Sequence, residues 1–564
     1  MWRGYRFHFT LRRVAPWAAH VLRAGAAQIL LAGVVHAVQG GQDPEAAAPQ
    51  APPGTPDRLP AQESPCFPIA SLHLQGAEGQ RREWREWLLS QADGHRVLPT
   101  PDPPQGRCLG AQGTQVIINR LQQALIARGE VTSRVLAGPQ DLRGGTLTLT
   151  WVPGIVEGIR WAPGSGERAT LWNTVPTGPG DILNLRALEQ ALENFRRVPG
   201  VEADIQIEPG AQPGGSVLTV SHRQDRWIRL AVTADDSGNR STGKYQGSVT
   251  LSLDNAWTLS DLFYLTLLQD LGGREPGSRG TRGQVLHYSL PWGPALLGLT
   301  YTDHRYFQTV AGAEQDYLYW GTSRSSEVAL SWLLHRDPSN RTVASLKAFQ
   351  RASSNHIDDT EIEVQRRQVA GFELGLKHQR RWARGNLELS VQARRGTGGW
   401  GSLPAPEEAL GEGTSRMRLW LVEGSLQQGF NAGAQPLHYT VAWRAQHNRT
   451  PLTPQDRIAI GGRHSVRGFD GQFVLSAERG GWIRHEVATP LLPQLQAYLG
   501  VDAGQVAGPR ANELVGRRLT GAVLGLRGQA SGLQGDVFVG GPLRKPAGFR
   551  TARTTAGFSL AMSF

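Results

Sequence analysis

The sequence is poor in cysteine, with Cys66 and Cys108 as its only two such residues, both near the amino terminus. Two cysteines without metal-type partner spacing exclude a zinc module. In an oxidising compartment they predict one disulfide, which would stabilise the surrounding domain. Two free, buried thiols are the alternative, because sequence alone does not fix the geometry that a disulfide needs.

Lysine is also scarce. Only four of the 59 basic residues are lysine, so the other 55 are arginine, and the formal net charge is +11. Nucleic-acid binding is one interpretation of such a charge, but the arginines are spread along the whole length, without a basic helix, zinc spacing or RNA-binding signature. The sequence therefore predicts no nucleic-acid partner.

Catalytic and cofactor motifs are missing as well. The chain shows no nucleotide-binding loop, no metal-ligand spacing and no constellation around a nucleophile. The neighbours His464 and Ser465 do not make a catalytic pair, since adjacency in sequence is not the geometry that such a pair needs. We therefore expect no enzyme activity, no metal site and no cofactor.

Long apolar runs occur only near the amino terminus. Four arginines in the first thirteen residues precede an apolar run from Ala24, and modest or small side chains surround a cleavage point at Ala37. This pattern predicts a signal peptide over residues 1–37. Residues 38–65 are rich in proline, alanine and glycine without an apolar period, which predicts an extended linker.

Residues 66–153 and 154–222 repeat one order of predicted elements. In the first segment a strand precedes a helix with Thr114 as its cap and Gly129 as its stop, and two alternating segments follow. In the second, a strand, a helix with Leu188 and Phe195 on one face, and a strand pair recur. The sequence predicts two small, related α+β modules.

Residues 223–564 show the period-two alternation of strands and no helical period. In GNLELSVQA, for example, Leu387, Leu389 and Val391 share one face and Glu388 the other. A soluble sandwich would bury the apolar face, whereas a transmembrane barrel would turn it to lipid. About 340 residues at roughly 20 per strand give about 16 strands, within the range of outer-membrane proteins. With no helical span, such a chain can cross a membrane only as a closed barrel. We therefore predict a transmembrane antiparallel β-barrel of about 16 strands.

Several longer stretches resemble those of a known family. They are CFPI (66–69), CLG (108–110), RGEVTSRVLAGPQDLRGGTLTLTWVPG (128–154), DDSGNRSTGKYQGSVTLSLDN (235–255), VRGF (466–469) and GVDAG (500–504). In this order they resemble the TpsB family, the outer-membrane transporters of two-partner secretion. The resemblance implies that the two modules are periplasmic POTRA domains and that the barrel lies in the outer membrane of a Gram-negative bacterium.

The same resemblance implies a site inside the barrel. Val466, Arg467, Gly468 and Phe469 resemble the signature of the sixth extracellular loop, which folds back into the lumen in this superfamily. Gly500, Asp502 and Gly504 resemble a companion motif whose aspartate meets the arginine of that loop. Strand alternation independently places Gly500, Asp502 and Gly504 on the face that lines water. We expect these seven residues to lock the loop to the barrel wall.

The function implied is the export of an unfolded exoprotein that the POTRA domains recognise in the periplasm. The implied partners are a large TpsA-type exoprotein (haemolysin, adhesin or contact-dependent toxin), outer-membrane lipid, and the barrel-assembly machinery for insertion. We expect a polar pore lined in part by Arg394 and Arg444. Some members have a plug helix, which the proline-rich stretch before Cys66 disfavours. An insertase of the same superfamily and a passive porin or surface adhesin are the alternatives.

Overall fold

The structure is a computed structural model that describes residues 58–95, 98–166, 168–272 and 277–564. The predicted signal peptide (1–37) and most of the predicted linker (38–57) lie outside these ranges. Within them, no helix combines the length and the apolar character needed to cross a membrane.

The first module contains two α-helices, of 9 and 18 residues, and two small sheets. Strands β2, β5 and β4 form one sheet in that order, with β2 parallel to β5, and β1 pairs with β3. Its core is formed by Leu88, Leu109, Leu121 and Leu149, all fully buried. The elements are β1 (Phe67–Ile69), β2 (Ser71–Gln75), α1 (Arg82–Ser90), β3 (Arg107–Leu109), α2 (Ala111–Arg128), β4 (Arg134–Leu136) and β5 (Thr146–Val152).

Helix α2 begins earlier than we expected, and Thr114 is not its cap. The Thr114 hydroxyl donates to the Gly110 carbonyl from inside the first turn, 2.8 Å away. The capping group is instead Glu63, whose carboxylate accepts hydrogen bonds from the backbone N–H groups of Gly110, Gln112 and Gly113. Burial raises the pKa of Glu63, but these three hydrogen bonds outweigh it and hold the pKa below its usual value. A residue of the predicted linker therefore fixes the start of the helix.

The second module is a three-stranded sheet covered by one helix. Its strand order is β6-β8-β7, with β6 parallel to β8. The helix begins at a cap in which the Asn184 side chain accepts from the Arg186 N–H, and it buries Leu188 and Phe195 as the spacing predicts. The elements are β6 (Ile155–Trp161), α3 (Leu185–Arg196), β7 (Val201–Pro209) and β8 (Gly215–Gln224).

The rest of the chain closes into an antiparallel barrel, in which β27 pairs with β9. Sixteen long strands form the wall, and the two-residue strand β16 (Thr360–Glu361) pairs only with the end of β15. The wall strands are β9 (Ile228–Asp235), β10 (Gln246–Asp254), β11 (Leu262–Asp270), β12 (Arg279–Trp292), β13 (Ala295–Ala311), β14 (Asp316–Arg336), β15 (Asn340–Ile357), β17 (Arg367–Trp382), β18 (Gly385–Thr397), β19 (Arg418–Ala432), β20 (Gln435–Asn448), β23 (Arg479–Leu492), β24 (Leu495–Ala507), β25 (Arg518–Ala530), β26 (Leu533–Arg544) and β27 (Thr555–Ser563). The predicted barrel of about 16 strands is confirmed.

Alternation along each strand gives the wall an apolar outside and a polar inside. Leu374 is 61% exposed and Leu499 is 57% exposed, although both are large and apolar. Tyr498 and Asp502, on the opposite face of the strand that carries Leu499, are buried. This arrangement excludes a sandwich, which would bury the leucines in its own core.

One long connection lies inside the barrel. Residues 449–478, between β20 and β23, contain the paired strands β21 (Ile458–Ile460) and β22 (Leu475–Ala477), and we call this segment the inserted loop. Its buried side chains Ile460 and Val466 pack with Val506 and Leu519 of the barrel strands and their ends. The loop is therefore held in the lumen by an apolar core that it shares with the barrel wall.

The second module is docked on the turns at one end of the barrel. The Asn173 side chain donates to the carbonyls of Leu259 (2.7 Å) and Pro291 (3.1 Å), which lie at two of these turns. Arg197 donates to the Ser260 carbonyl, and Arg336 forms an ion pair with Glu193 of α3. These contacts place the second module at the end of the barrel opposite the one from which the inserted loop enters.

Candidate functional site

Arg467, at the tip of the inserted loop, binds the barrel wall through most of its hydrogen-bonding groups. Its Nε donates to Asp502 Oδ2 at 2.8 Å, and its Nη2 donates to Asp502 Oδ1 at 2.9 Å. The backbone N–H of the same residue also donates to Asp502 Oδ2, at 2.8 Å. Two parallel hydrogen bonds between a guanidinium and a carboxylate form a bidentate pair, which fixes both the position and the orientation of the Arg467 side chain.

A second carboxylate, which the sequence analysis did not single out, completes the arrangement. Arg467 Nη1 donates to Glu486 Oε2 at 2.7 Å. The other oxygen, Glu486 Oε1, forms an ion pair with Arg527 Nη2 at 3.0 Å. Because Glu486 lies on β23 and Asp502 on β24, the arginine of the loop joins two neighbouring strands. Alternation along WIRHEV places Glu486 on the lumenal face, so the pattern contained the signal for it.

The Asp502 side chain is 1% exposed and that of Arg467 is 11% exposed. A buried carboxylate of this kind is stable only when it is paired and hydrogen-bonded. Arg484, whose Nε lies 3.8 Å from Asp502 Oδ2, adds a second positive charge. Arg484 also donates to the loop carbonyls of Ser465 and Arg463, so it holds the loop backbone directly.

Glycines on the wall provide the space that the loop occupies. A Cβ on Gly500 would lie 2.6 Å from Arg467 Nη2, and one on Gly504 would lie 2.8 Å from Val466 Cγ2. At these two positions side chains of the loop, and not its backbone, fill the space. The loop backbone instead approaches Gly521, where a Cβ would lie 2.0 Å from the Arg467 carbonyl oxygen. Gly521 is thus a part of the site that the motif did not reveal.

Gly468 and Phe469 turn the loop tip toward the last strands. Gly468 has a φ of +88°, in the left-handed region, and a Cβ there would meet the Gly541 carbonyl. Phe469 is buried against Phe549 in an edge-to-face contact with ring centres 5.7 Å apart. Phe549 belongs to the connection between β26 and β27, so the signature residues also bind the loop to a neighbouring connection.

The inserted loop reaches the seam where the barrel closes. Arg463 Nη1 donates to Asp236 Oδ1 (2.8 Å), just beyond β9, and to the Phe558 carbonyl (2.9 Å) in β27. Only five residue pairs join β9 to β27. The loop therefore adds a bridge across the shortest ladder in the wall.

Arg394 and Arg444 both lie on the lumenal face, as expected of pore-lining residues. Arg394 pairs with Glu373 at 2.6 Å, and Arg444 lies 3.2 Å from Glu423. Lys347 contacts the second oxygen of Glu373 at 3.1 Å. The wall beside the lock, from β15 to β20, therefore carries charges of both signs and is not a purely basic surface.

Cys66 and Cys108 form a disulfide, with Cα atoms 5.2 Å apart and a sequence separation of 42. The bond joins β3 to the residue before β1, so it fixes the small sheet at the entrance of the first module. Within the described ranges, no group of three or more His, Cys, Asp or Glu side chains is placed to hold a metal ion.

A closed barrel with a loop anchored in its lumen, preceded by two α+β modules of which the second is docked on its turns, defines an outer-membrane transporter with POTRA domains. Residues 67–154 match the ShlB-type POTRA domain, and residues 155–209 match a POTRA domain model. Residues 214–528 match the model of the haemolysin secretion/activation proteins ShlB/FhaC/HecB. The chain belongs to this family.

Individual relatives agree with this assignment. Outer membrane transporter CdiB-2 of Burkholderia pseudomallei is 33% identical, over 89% of this chain and 87% of its own. Hemolysin transporter protein HpmB of Proteus mirabilis is 24% identical, over 78% of this chain and 76% of its own. The structure of CdiB from Acinetobacter baumannii superposes with a TM-score of 0.81 at 29% identity, covering 96% of this chain and 98% of that one.

The protein is therefore an outer-membrane transporter of two-partner secretion, with its POTRA domains in the periplasm. Members of this family work with TpsA-type exoproteins, and the comparisons favour secretion over an insertase or a passive porin. The turns that contact the second POTRA domain are thus periplasmic, and the inserted loop is the sixth extracellular one.

Proposed function

We propose that Arg467, with Asp502 and Glu486, is a lock that holds the inserted loop in the pore until an exoprotein is engaged. The observation that carries the proposal is the burial of this arginine between two carboxylates on adjacent strands. A loop fixed there fills part of the lumen, so passage of a client requires the loop to leave its anchor and afterwards to return.

The POTRA domains provide the first binding surface in this proposal. Each has a small sheet with edge strands, β2 and β4 in the first and β6 and β7 in the second. An unfolded client can add to such an edge as an extra strand through backbone hydrogen bonds, which makes little demand on its sequence. Folding of the client outside the cell would then make its passage directional.

The pore wall suits a chain of mixed composition. The pairs Arg394–Glu373 and Arg444–Glu423 offer both signs of charge at close spacing. An extended client can exchange hydrogen bonds with either sign along such a wall without being held strongly at one place. The cycle uses no catalytic group, so we propose a transporter that is not an enzyme.

For the client we propose a large exoprotein of the contact-dependent toxin type. Relatives named CdiB or CdiB-2 share from 26% to 33% of aligned residues with this chain, against 24% for HpmB. The alternatives are a haemolysin and an adhesin. We also propose that outer-membrane lipid surrounds the barrel, that the barrel-assembly machinery inserts it, and that no nucleic acid takes part.

A covalent staple tests the lock. Val466→Cys combined with Gly504→Cys places two thiols where the existing side chains touch, since a Cβ at 504 would lie 2.8 Å from Val466 Cγ2. We expect export to stop when this pair is oxidised and to recover when it is reduced. Each single-cysteine variant is the control, because it carries the same bulk without the bond.

Export of the client by the oxidised double variant, at the rate of the reduced one, would refute the proposal that the loop must move.

A separate experiment identifies the client. Deleting the gene should remove one large protein from the cell surface and the medium, and re-expressing the transporter should restore it. A missing haemolysin or adhesin in place of a toxin would refute the proposed client class and leave the lock untouched.

A further inference from the structure

Two pairs of arginines lie on the outer, lipid-facing surface of the barrel, near its extracellular edge. Arg282 on β12 lies directly opposite Arg305 on β13, and Arg395 on β18 lies directly opposite Arg418 on β19. All four are exposed. They share their strand faces with outward-pointing apolar residues, such as Leu286 on β12.

Two like charges directly opposite each other on adjacent strands repel and destabilise the pair. Within the described ranges none of the four takes part in an ion pair. Arg324, on the same outer face, provides the contrast, because its cross-strand partner is Asp303 and the two form an ion pair at 3.5 Å. A carboxylate can thus lie opposite an outward-facing arginine in this wall. In the pairs Arg282–Arg305 and Arg395–Arg418, the opposite residue is a second arginine instead.

The height of these pairs matches the boundary of the membrane. On β12, Arg282 lies about ten residues from Trp292, an exposed tryptophan at the periplasmic end. At about 3.3 Å per residue and a tilt of about 40°, this is about 25 Å along the membrane normal, which is the height of an outer-membrane apolar band. Arg395 lies about ten residues from Gly385, the register partner of the exposed Trp382.

We infer that the pairs Arg282–Arg305 and Arg395–Arg418 bind the phosphate groups of lipid in the outer leaflet. A phosphate between two guanidinium groups accepts several charge-assisted hydrogen bonds and removes the repulsion between them. Near the second pair, Arg449 lies over the outward ring of Trp420, 6.0 Å from its centre, and extends the basic surface along the same edge. A phosphorylated headgroup at this height would meet both the charge and the aromatic surface.

The test measures binding of bisphosphorylated lipid A to the purified full-length protein in detergent micelles, by native mass spectrometry. We expect replacement of all four arginines by glutamine to lower the affinity by about tenfold or more for each pair, since each loses hydrogen bonds to a charged group. Arg380→Gln is the matched control. Arg380 is an exposed residue on the same face of β17 as Leu374, but near the periplasmic end of that strand.

Two further arms use the unaltered protein and therefore do not depend on the folding of a variant. Dephosphorylated lipid A should bind at least tenfold more weakly, and millimolar inorganic phosphate should not displace the phosphorylated lipid. Equal binding of both forms of lipid A would overturn the inference. So would equal affinity of the fourfold variant and the wild type, and displacement by phosphate alone would show a site for free anions instead of lipid.

Discussion

Arg467→Ala removes the side chain that fixes the inserted loop to the wall. In the folded protein this guanidinium donates to both oxygens of Asp502 and to Glu486. Breaking a buried ion pair by removing one partner costs about 3 to 5 kcal/mol, because the remaining charge stays buried without compensation. We therefore expect the anchored position of the loop to lose most of its advantage over positions away from the wall.

The structure places the effect at the lower end of that range. Asp502 would keep the backbone N–H of residue 467 at 2.8 Å and the Arg484 guanidinium at 3.8 Å. A loss of about 3 kcal/mol shifts the ratio of anchored to released loop by roughly a hundredfold. Arg467→Lys should give a smaller shift, since an ammonium keeps the charge but cannot make the two parallel hydrogen bonds.

Two measurements check this prediction. Single-channel currents in planar bilayers should show more frequent or larger open states for Arg467→Ala, because a released loop blocks less of the lumen. Export of the client should fall, because the loop no longer returns to a defined position. Arg527→Gln is the control, since Arg527 contacts Glu486 and Asp536 on the same wall and makes no hydrogen bond to the loop. Wild-type currents and wild-type export in Arg467→Ala, with the barrel still folded by its heat-dependent gel mobility, would refute the reasoning.

Three further changes test other parts of the molecule. Gly521→Val should also release the loop and raise the bilayer current, because a Cβ at 521 would lie 2.0 Å from the carbonyl of the anchoring arginine. A Cys66→Ser and Cys108→Ser double variant should lower the free energy of unfolding of the first POTRA domain by about 2 to 4 kcal/mol, and an unchanged urea midpoint by tryptophan fluorescence would contradict this. Asp102 is paired with Arg120 at 2.7 Å; burial raises its pKa, but hydrogen bonds and the nearby arginines hold the pKa below the ordinary 3.8. Its contribution to stability is therefore complete above about pH 4 and is lost as the pH falls further, and Asp102→Asn should flatten that dependence in urea titrations.

The barrel could be predicted from sequence because side-chain alternation is a local property. Each wall strand turns alternate residues to lipid and to the lumen, so the pattern of Leu387, Leu389 and Val391 already indicates the face that meets lipid. The same rule places Asp502 in the lumen. Alternation cannot show which distant residue contacts that face. The partner of Asp502, Arg467, could be predicted only from the resemblance to a known family.

Helix α1 and the cap of α2 were not predicted from the sequence, for two different reasons. Helix α1 was overlooked although Trp84, Trp87 and Leu88 have helical spacing, and Leu88 is fully buried. The cap of α2 was assigned to the nearest hydroxyl, Thr114, whereas the real capping group, Glu63, lies far away in sequence. Capping rules describe residues next to a helix, so a tertiary cap of this kind is outside their reach.

The lock lies near the middle of the barrel wall, whereas the contact with the second POTRA domain lies at its periplasmic end. Arg467 joins β23 and β24 on one side of the barrel, while Asn173 and Arg197 contact Leu259 and Ser260 in the turn between β10 and β11 on another. Arg463 bridges the seam between them through Asp236. Because Arg463 contacts Asp236 next to β9 and Phe558 in β27, we expect release of the loop to weaken the closure of the barrel where it is held by the fewest residue pairs.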